Sequence, residues 1–143
     1  MVGICFGHQI IAQALGGHVE KFDGGWSVGR QVYDFADGRK MPLYAWHQDQ
    51  VTRLPLGAKV TASTDFCQFA GFAIGSTVKT IQPHPEFTAD YLKGIIEHRS
   101  KGIVPDALRN AALASADEPV DGATFADEIE AFFKAHAEVP DAV

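Results

Sequence analysis

The run Gly3-Ile4-Cys5-Phe6-Gly7 decides how the start of this chain folds. Residues 2–4 are apolar and predict the end of a buried strand. Apolar residues at helical spacing then begin after His8 and end at Gly16-Gly17. A cysteine between a strand and a helix, with glycine two positions before and after it, matches the pattern of a nucleophile elbow. We expect both glycines to be required, because a Cβ at either one would collide with the neighbouring strand or helix.

This turn is expected to make Cys5 reactive. A sulfur at the N-terminus of a helix is favoured as the thiolate, which is the form that attacks. The amide of Phe6 points towards the place where an oxyanion would form. A buried and inert cysteine in a tight turn explains the five residues equally well, since free cysteines are commonly buried. A partner base has to decide between the two interpretations.

The segment Gln82-Pro83-His84-Pro85-Glu86 supplies a candidate base just after a predicted strand. Its prolines disfavour helix, and residues two apart in an extended segment point to the same side, so Glu86 can reach His84. A histidine oriented by a carboxylate can take the proton of a thiol and later protonate a leaving amine. Alone, a histidine between prolines is usually a loop residue; together with the elbow it favours catalysis.

The first two thirds of the chain carry strand signals. Residues 18–35 alternate around Asp23-Gly24-Gly25, which predicts a hairpin. A short apolar run predicts a strand at 43–46, and further strands are predicted at 59–62, 68–74 and 78–82, with the turn residues Gly75-Ser76 between the last two.

Helical signals follow Pro85. A helix is predicted over 88–99, with Thr88 as N-cap. A second is predicted from Phe125 to His136, where Thr124 and Asp127 resemble a capping box, and residues 114–123 between them are predicted to form a surface loop. Strands followed by helices, with a strand-turn-helix at the front, indicate a single layered α/β domain over residues 1–143.

Composition and charge argue against several classes of partner. The formal net charge is −6 and the twelve lysines and arginines are scattered, so neither nucleic acid nor an anionic membrane is expected to bind. No apolar stretch approaches the ~20 residues of a spanning helix, and the start lacks the pattern of a signal peptide. The contexts of Cys5 and Cys67 do not suggest a disulfide framework. We therefore expect a cytoplasmic protein.

The other histidines have competing interpretations. His8 is expected to be structural, whereas His47 and Asp49 either contact substrate at the mouth of the site or make ordinary loop hydrogen bonds. Three further histidines lack the spacing of metal ligands, so no metal site and no cofactor are expected; they are His18, His98 and His136.

The end of the chain is expected to serve packing and solubility. Cys67 is predicted to be a core residue. Glu128 and Glu130 are predicted to lie on a solvated face. The aromatic residues of the last helix are predicted to pack in the core or an interface; they are Phe125, Phe132 and Phe133.

At this point two blocks of sequence resemble a known family. The runs G-I-C-F-G-H-Q (3–9) and I-Q-P-H-P-E-F (81–87) resemble the nucleophile block and the histidine–glutamate block of class I glutamine amidotransferases. The runs W-H-Q-D-Q-V (46–51) and F-A-G-F-A-I-G (69–75) are similar to the GMP-synthase-like subgroup, many of whose members stand alone.

The resemblance implies a layered, flavodoxin-like α/β domain. It also implies Cys5 as the nucleophile, His84 as the base, Glu86 as its partner and Gln9 as a residue that helps to bind substrate. Pro83 departs from the aromatic or aliphatic residue common before this histidine, which should stiffen the segment.

A larger departure lies at the front. Family members carry several strands before the elbow, with a glycine-containing loop that supplies a second oxyanion amide, whereas only four residues precede Cys5 here. Losing one oxyanion donor typically costs ~10²–10³ in turnover. The strand at 2–4 is expected to keep one open edge, which invites pairing with another chain. We therefore expect a shortened protein that works poorly alone and forms a homo-oligomer.

The sequence thus favours hydrolysis of glutamine to glutamate and ammonia through a thioester on Cys5, with a synthetase as a possible recipient of the ammonia. Two alternatives stay open. One is a γ-glutamyl peptidase that uses the same three residues, and the other is a catalytically inactive fragment or binding module.

Overall fold

The computed structural model describes residues 1–137 and builds them from eight strands and four helices. The strands are β1 (Val2–Ile4), β2 (His18–Lys21), β3 (Ser27–Phe35), β4 (Lys40–His47), β5 (Asp49–Arg53), β6 (Lys59–Ser63), β7 (Gly71–Ile74) and β8 (Val78–Ile81). The helices are α1 (Phe6–Ala14), α2 (Ala89–Arg99), α3 (Asp106–Ala114) and α4 (Gly122–Ala137). None of these helices is both long and apolar enough to cross a bilayer. Residues 138–143 of the predicted domain lie outside the described range.

A six-stranded mixed sheet carries the fold, in the order β1-β8-β7-β6-β3-β4. β1 runs parallel to β8, with Ile4 opposite Ile81, and the other neighbours pair antiparallel. Because β1 and β8 are parallel, the chain leaves both strands at the same end of the sheet. Cys5 and the segment after Ile81 are thereby brought together. Within residues 1–137, β8 is the single strand that pairs with β1, so β1 has the expected open edge.

The predicted hairpin over residues 18–35 is wrong. The strands on either side of the Asp23-Gly24-Gly25 turn do not pair with each other: β2 pairs with β5, and β3 pairs with β4. Alternation shows that a stretch suits a strand but does not name its partner. The register places Lys21 opposite Asp49 in the small sheet and Val28 opposite Trp46 in the large one. Both pairings end near residues 46–49, beside the elbow.

The helix predictions hold in part. Thr88 caps α2, since its hydroxyl accepts a hydrogen bond from the amide of Tyr91 at 3.2 Å. The capping box at Thr124 is wrong because α4 begins at Gly122, which places Thr124 inside the helix. A tertiary contact fixes this start: the amide of Asp121 donates to the carbonyl of Pro42 at 2.8 Å. Helix α3 was not predicted, and the loop before α4 is correspondingly limited to residues 115–121.

The last helix packs on the sheet through one face. Phe125 and Cys67 lie in the same buried cluster, as predicted for both. Phe133, by contrast, is 54% exposed, so it is not a core residue. Glu128 was predicted to be solvated, but it is half-buried, and its carboxylate pairs with Lys79 and Arg39 at 2.6 Å each. Although burial favours the neutral acid, these two cations keep the pKa of Glu128 below its usual value.

Gly122 gives the first testable prediction. A Cβ at this position would lie 2.3 Å from the carbonyl oxygen of Pro85, which is the residue between His84 and Glu86. We expect Gly122→Ala to lower the free energy of unfolding by roughly 1–3 kcal/mol, because backbone has to move. The matched control is Gly94→Ala in α2, where a Cβ meets nothing within 4 Å. It should be neutral or stabilising by up to about 1 kcal/mol.

Urea unfolding curves of the two variants and the parent chain make this comparison. Equal midpoints for Gly122→Ala and Gly94→Ala would show that the α4 start is not held against Pro85.

Candidate active site

The backbone at Cys5 is held in an unusual conformation. Its φ of 49° and ψ of −103° make it the one non-glycine residue with positive φ in the described part of the chain. Such a conformation costs of order 1–3 kcal/mol and persists only where its surroundings enforce it. Two hydrogen bonds do so here: the amide of Cys5 donates to Ile81 O at 2.9 Å, and its carbonyl accepts from Gln9 N at 3.1 Å. The first extends the β1–β8 pairing, and the second starts α1.

The two glycines of the elbow differ in their roles. A Cβ at Gly3 would lie 2.6 Å from Gly7 O and 2.7 Å from the side chain of Ile11, so strand and helix approach too closely for a side chain at Gly3. A Cβ at Gly7 would meet nothing within 4 Å, and the predicted collision there is wrong. Gly7 therefore contributes its backbone carbonyl to the close contact at Gly3, while the space beside its own α-carbon is open.

Phe6 is the first residue of α1. Amides of the first helical turn have no carbonyl one turn earlier in the helix to bond to, so the Phe6 N–H is free of the helix ladder. The residue as a whole is 71% exposed. The structure thus places the predicted oxyanion donor next to the sulfur, at the positive end of the helix.

The sulfur of Cys5 has two hydrogen-bond contacts in addition to its interaction with His84. The Sγ atom lies 4.0 Å from Trp46 O, to which the thiol donates, and 3.5 Å from Gln82 Nε2, which donates to the sulfur. The half-buried thiol opens into a pocket of about 630 Å³, which is also lined by Gln9, Trp26, Trp46, His47 and Asp49. A small molecule in this pocket would reach the sulfur directly.

His84 is fixed on three sides. Its amide donates to Tyr44 O at 2.8 Å, which ties the segment after β8 to β4. Its ring stacks on Phe87 with centroids 3.9 Å apart and planes 14° from parallel. Its Nδ1 lies 2.6 Å from Glu86 Oε1. This last contact leaves Nε2 as the nitrogen available to the thiol.

The charges in this group are coupled. Burial lowers the pKa of His84, but interactions with the Cys5 sulfur and the Glu86 carboxylate outweigh it and raise that pKa to about 9. Burial likewise raises the pKa of Glu86, yet the hydrogen bond with His84 leaves it below its usual value. An imidazole with so high a pKa carries a proton at neutral pH, and a thiol beside an imidazolium is favoured as thiolate.

The three residues predicted to bind substrate all line this pocket, but polar side-chain atoms of Gln9 and His47 are engaged in contacts within the protein. Gln9 is buried, and its Nε2 donates to Asp49 O at 2.8 Å and to Gln82 Oε1 at 3.2 Å. His47 is also buried, and its Nδ1 lies 3.2 Å from Asp49 O. Because a carbonyl only accepts, Nδ1 of His47 carries the proton. Asp49 thus uses its carbonyl in these contacts, while the residue itself is exposed.

Gln82 belongs to the same segment as His84 and Glu86, but the sequence did not predict a role for it in the site. It is fully buried and is the residue that links Gln9 to the Cys5 sulfur. One signal could have revealed it. An amide side chain that directly follows a buried strand end at Ile81 has to find buried partners, and the parallel pairing of β1 with β8 puts the elbow beside it.

His8 and His47 are buried bases next to this site. Burial, and to a smaller extent repulsion from His47, lowers the pKa of His8 to about 3. Burial lowers the pKa of His47 to about 4. The Nε2 atoms of both rings are buried without a hydrogen-bond partner among residues 1–137. His8 does contact the hydroxyl of Thr80 through Nδ1 at 2.8 Å, in keeping with its predicted structural role.

These two histidines predict acid sensitivity. A histidine that is neutral when folded takes up a proton on unfolding below about pH 6.5, so the stability it contributes is complete above that pH and is lost as the pH falls towards 4. We expect the free energy of unfolding to fall by about 1.4 kcal/mol per pH unit for each histidine in that window. Urea titrations at several pH values measure the slope.

His47→Gln should roughly halve this slope, because one of the two buried bases is then absent. His98→Gln is the matched control, since His98 is exposed on α2. A slope unchanged by His47→Gln would contradict the assignment.

Known proteins share this sequence pattern. The profile of the family described as glutamine amidotransferase class-I matches residues 1–97. A glutamine amidotransferase-like protein of Schizosaccharomyces pombe is 30% identical over 140 residues, which cover 92% of this chain and 56% of the relative. γ-Glutamyl peptidase 3 of Arabidopsis thaliana is 33% identical over 111 residues, which cover 68% and 45%. The chain spans about half the length of these curated relatives.

Solved structures show the same fold. A glutamine amidotransferase from Thermotoga maritima matches with a TM-score of 0.71 at 19% identity, over 96% of this chain and 62% of that one. A protein described as a GMP synthase component from Thermoplasma acidophilum matches with a TM-score of 0.56 at 26% identity, over 60% and 47%. The profile match over residues 1–97 covers well over half of the sequence. The chain therefore belongs to the class I glutamine amidotransferase family, with GMP-synthase-like relatives.

Proposed function

We propose that this chain carries a cysteine hydrolase site that cleaves the γ-amide of glutamine to glutamate and ammonia. One observation carries the proposal: a strained cysteine at a helix N-terminus faces a histidine whose pKa is raised by that cysteine and by a carboxylate. The family membership supports the reaction class, and relatives described as glutamine-hydrolysing GMP synthases support glutamine as substrate.

In the first half of the reaction, the Cys5 thiolate attacks the amide carbon of glutamine. The carbonyl oxygen becomes an oxyanion, which the Phe6 N–H is placed to hold. When the tetrahedral intermediate collapses, the carbon–nitrogen bond breaks and Nε2 of His84 gives its proton to the departing nitrogen. Ammonia leaves, and a γ-glutamyl thioester remains on Cys5.

In the second half, His84 acts as a base. It takes a proton from a water molecule, whose oxygen attacks the thioester carbon, and the carbon–sulfur bond then breaks to release glutamate. Glu86 stabilises the imidazolium at each stage and holds its Nδ1 proton, so the same nitrogen always faces the reaction.

A second candidate is a γ-glutamyl peptidase reaction with the same residues. The pocket beside the sulfur is open and contains two tryptophans, Trp26 and Trp46, whose rings lie 5.7 Å apart. A leaving group larger than ammonia could pack against them. The similarity to an Arabidopsis γ-glutamyl peptidase supports this candidate. Comparing acylation of Cys5 by glutamine and by a γ-glutamyl dipeptide separates the two.

Two partner proposals accompany this function. Released ammonia needs an acceptor, and a relative described as one component of a glutamine-hydrolysing GMP synthase supports a synthetase as that partner. The open edge of β1 supports strand pairing with a second copy of the chain.

Substitution of the nucleophile and base tests the chemistry. A glutamine-like electrophile should label the parent chain at Cys5, and Cys5→Ala should abolish both labelling and hydrolysis. His84→Ala should slow turnover by roughly 10²–10⁴, the usual contribution of a general acid–base group. Mass spectrometry of the labelled chain and a glutamate-release assay provide the measurements.

Cys67→Ala is the control for this experiment. Cys67 is buried in the core, and burial raises the pKa of its thiol to about 12, so it should not react. Labelling that survives Cys5→Ala and disappears with Cys67→Ala would overturn the proposed nucleophile.

The role of Glu86 is tested by pH dependence. Because its carboxylate raises the pKa of His84, Glu86→Gln should lower that pKa by about one unit and move the alkaline limb of the activity profile to lower pH by the same amount. Titration of the His84 ring signals by NMR measures the shift directly. Glu130→Gln, at an exposed position of α4, is the control and should leave the profile unchanged. An unshifted His84 titration in Glu86→Gln would contradict the assigned pairing.

A further inference from the structure

Gln82 occupies a fixed position behind the nucleophile. It directly follows β8, and its backbone N–H donates to Ala70 O at 2.6 Å. On its other side, Pro83 restricts the backbone. The residue is fully buried. A buried amide side chain with a fixed starting point has few alternative positions, so its polar atoms act as part of the rigid frame of the site.

The direction of the Gln82 amide follows from its neighbours. Asp49 O is a carbonyl and only accepts, so the atom of Gln9 that lies 2.8 Å from it is the amide nitrogen. That nitrogen also lies 3.2 Å from the Gln82 amide, and only an oxygen can accept there. Gln82 therefore turns its own nitrogen to the Cys5 sulfur, at 3.5 Å. Three contacts fix an orientation that is otherwise ambiguous between nitrogen and oxygen.

Apart from His84, the two hydrogen-bond partners of the sulfur favour opposite protonation states of Cys5. Trp46 O, at 4.0 Å, can only accept a hydrogen bond, which requires the protonated thiol as donor. Gln82 Nε2, at 3.5 Å, can only donate, and a thiolate accepts such a bond more strongly than a thiol does. The nearer of the two contacts thus favours the form that attacks. If the sulfur moved away, the Gln82 donor would be left buried without that partner.

We propose that Gln82 is a positioning residue for the nucleophile: its side-chain nitrogen holds the Cys5 sulfur as an oriented thiolate. Gln9, which is hydrogen-bonded to Asp49 O, in turn holds the side-chain oxygen of Gln82. The role rests on the proposed function, since it concerns the same sulfur. It also gives Gln9 a supporting part, because Gln9 holds the oxygen of the Gln82 side chain.

Other titratable groups around the sulfur have to be separated from this effect. Tyr33 interacts with Cys5 from β3, but its burial raises the pKa of the phenol, which stays neutral. His47 shares the pocket and is neutral above about pH 5, because its pKa is lowered to about 4. The pKa of Glu86, behind His84, lies below its usual value, so this carboxylate keeps its charge as the pH rises above neutral. His84 is then the group beside Cys5 whose charge changes above neutral pH.

The test measures alkylation of Cys5 by iodoacetamide as a function of pH, in the complete chain. Gln82→Met keeps the length and burial of the side chain and removes the donor. We expect the midpoint of its pH–rate profile to move up by roughly one pH unit. We also expect kcat for glutamine to fall about tenfold with KM little changed, because the loss affects the nucleophile and not the binding of substrate. Gln68→Met, at an exposed loop position, should leave both measurements unchanged.

The possible outcomes are distinct. An unshifted profile in folded Gln82→Met, or a loss that appears only in KM, overturns the proposal. If Gln82→Met does not fold, Gln9→Met provides the test. It removes the hydrogen bond that orients the Gln82 side chain, so it should shift the profile in the same direction. A shifted profile in a chain that hydrolyses no glutamine would keep the positioning role and refute the proposed function. Hydrolysis with an unshifted profile would do the reverse.

Discussion

The pairing of β1 with β8 is the contact on which the rest of the site depends. A three-residue parallel ladder ends in the bond from Cys5 N to Ile81 O, and that bond holds the cysteine in its left-handed conformation. The same ladder brings the segment after Ile81 beside the sulfur. Cys5 and His84, the proposed nucleophile and base, are far apart in sequence, but Cys5 directly follows β1 and His84 lies three residues beyond the end of β8. Strand pairing thus brings together the residues of the proposed reaction.

A second constraint comes from β4. The bond between His84 N and Tyr44 O ties His84 to the strand that, two residues later, places the carbonyl of Trp46 beside the sulfur. Strand β4 lies at the opposite edge of the sheet from β1. Its end therefore curls across the pocket, and one strand contacts both halves of the site. Movement of β4 would therefore displace His84 and the pocket wall together.

The sequence predicted those parts of the molecule that are encoded locally. The elbow around Cys5 and the His84–Glu86 pair follow from residues close together in the chain, where proline and glycine restrict the backbone. The partner of β2 could not be predicted, because alternation does not identify which strand lies alongside. The start of α4 at Gly122 depends on contacts with Pro42 and Pro85, which local capping signals do not contain. Gln82 was missed for the same reason, since its role depends on three distant neighbours.

The stacking of His84 on Phe87 has a consequence for the order of events. Clamped between that ring and Glu86, the imidazole cannot turn over to offer its other nitrogen. In the proposed reaction, one atom must therefore serve first the departing amine and then the incoming water, and both must occupy the same spot in succession. The departing amine has to leave the pocket before the hydrolytic water can bind in its place. Release of the first product and entry of water are therefore consecutive steps.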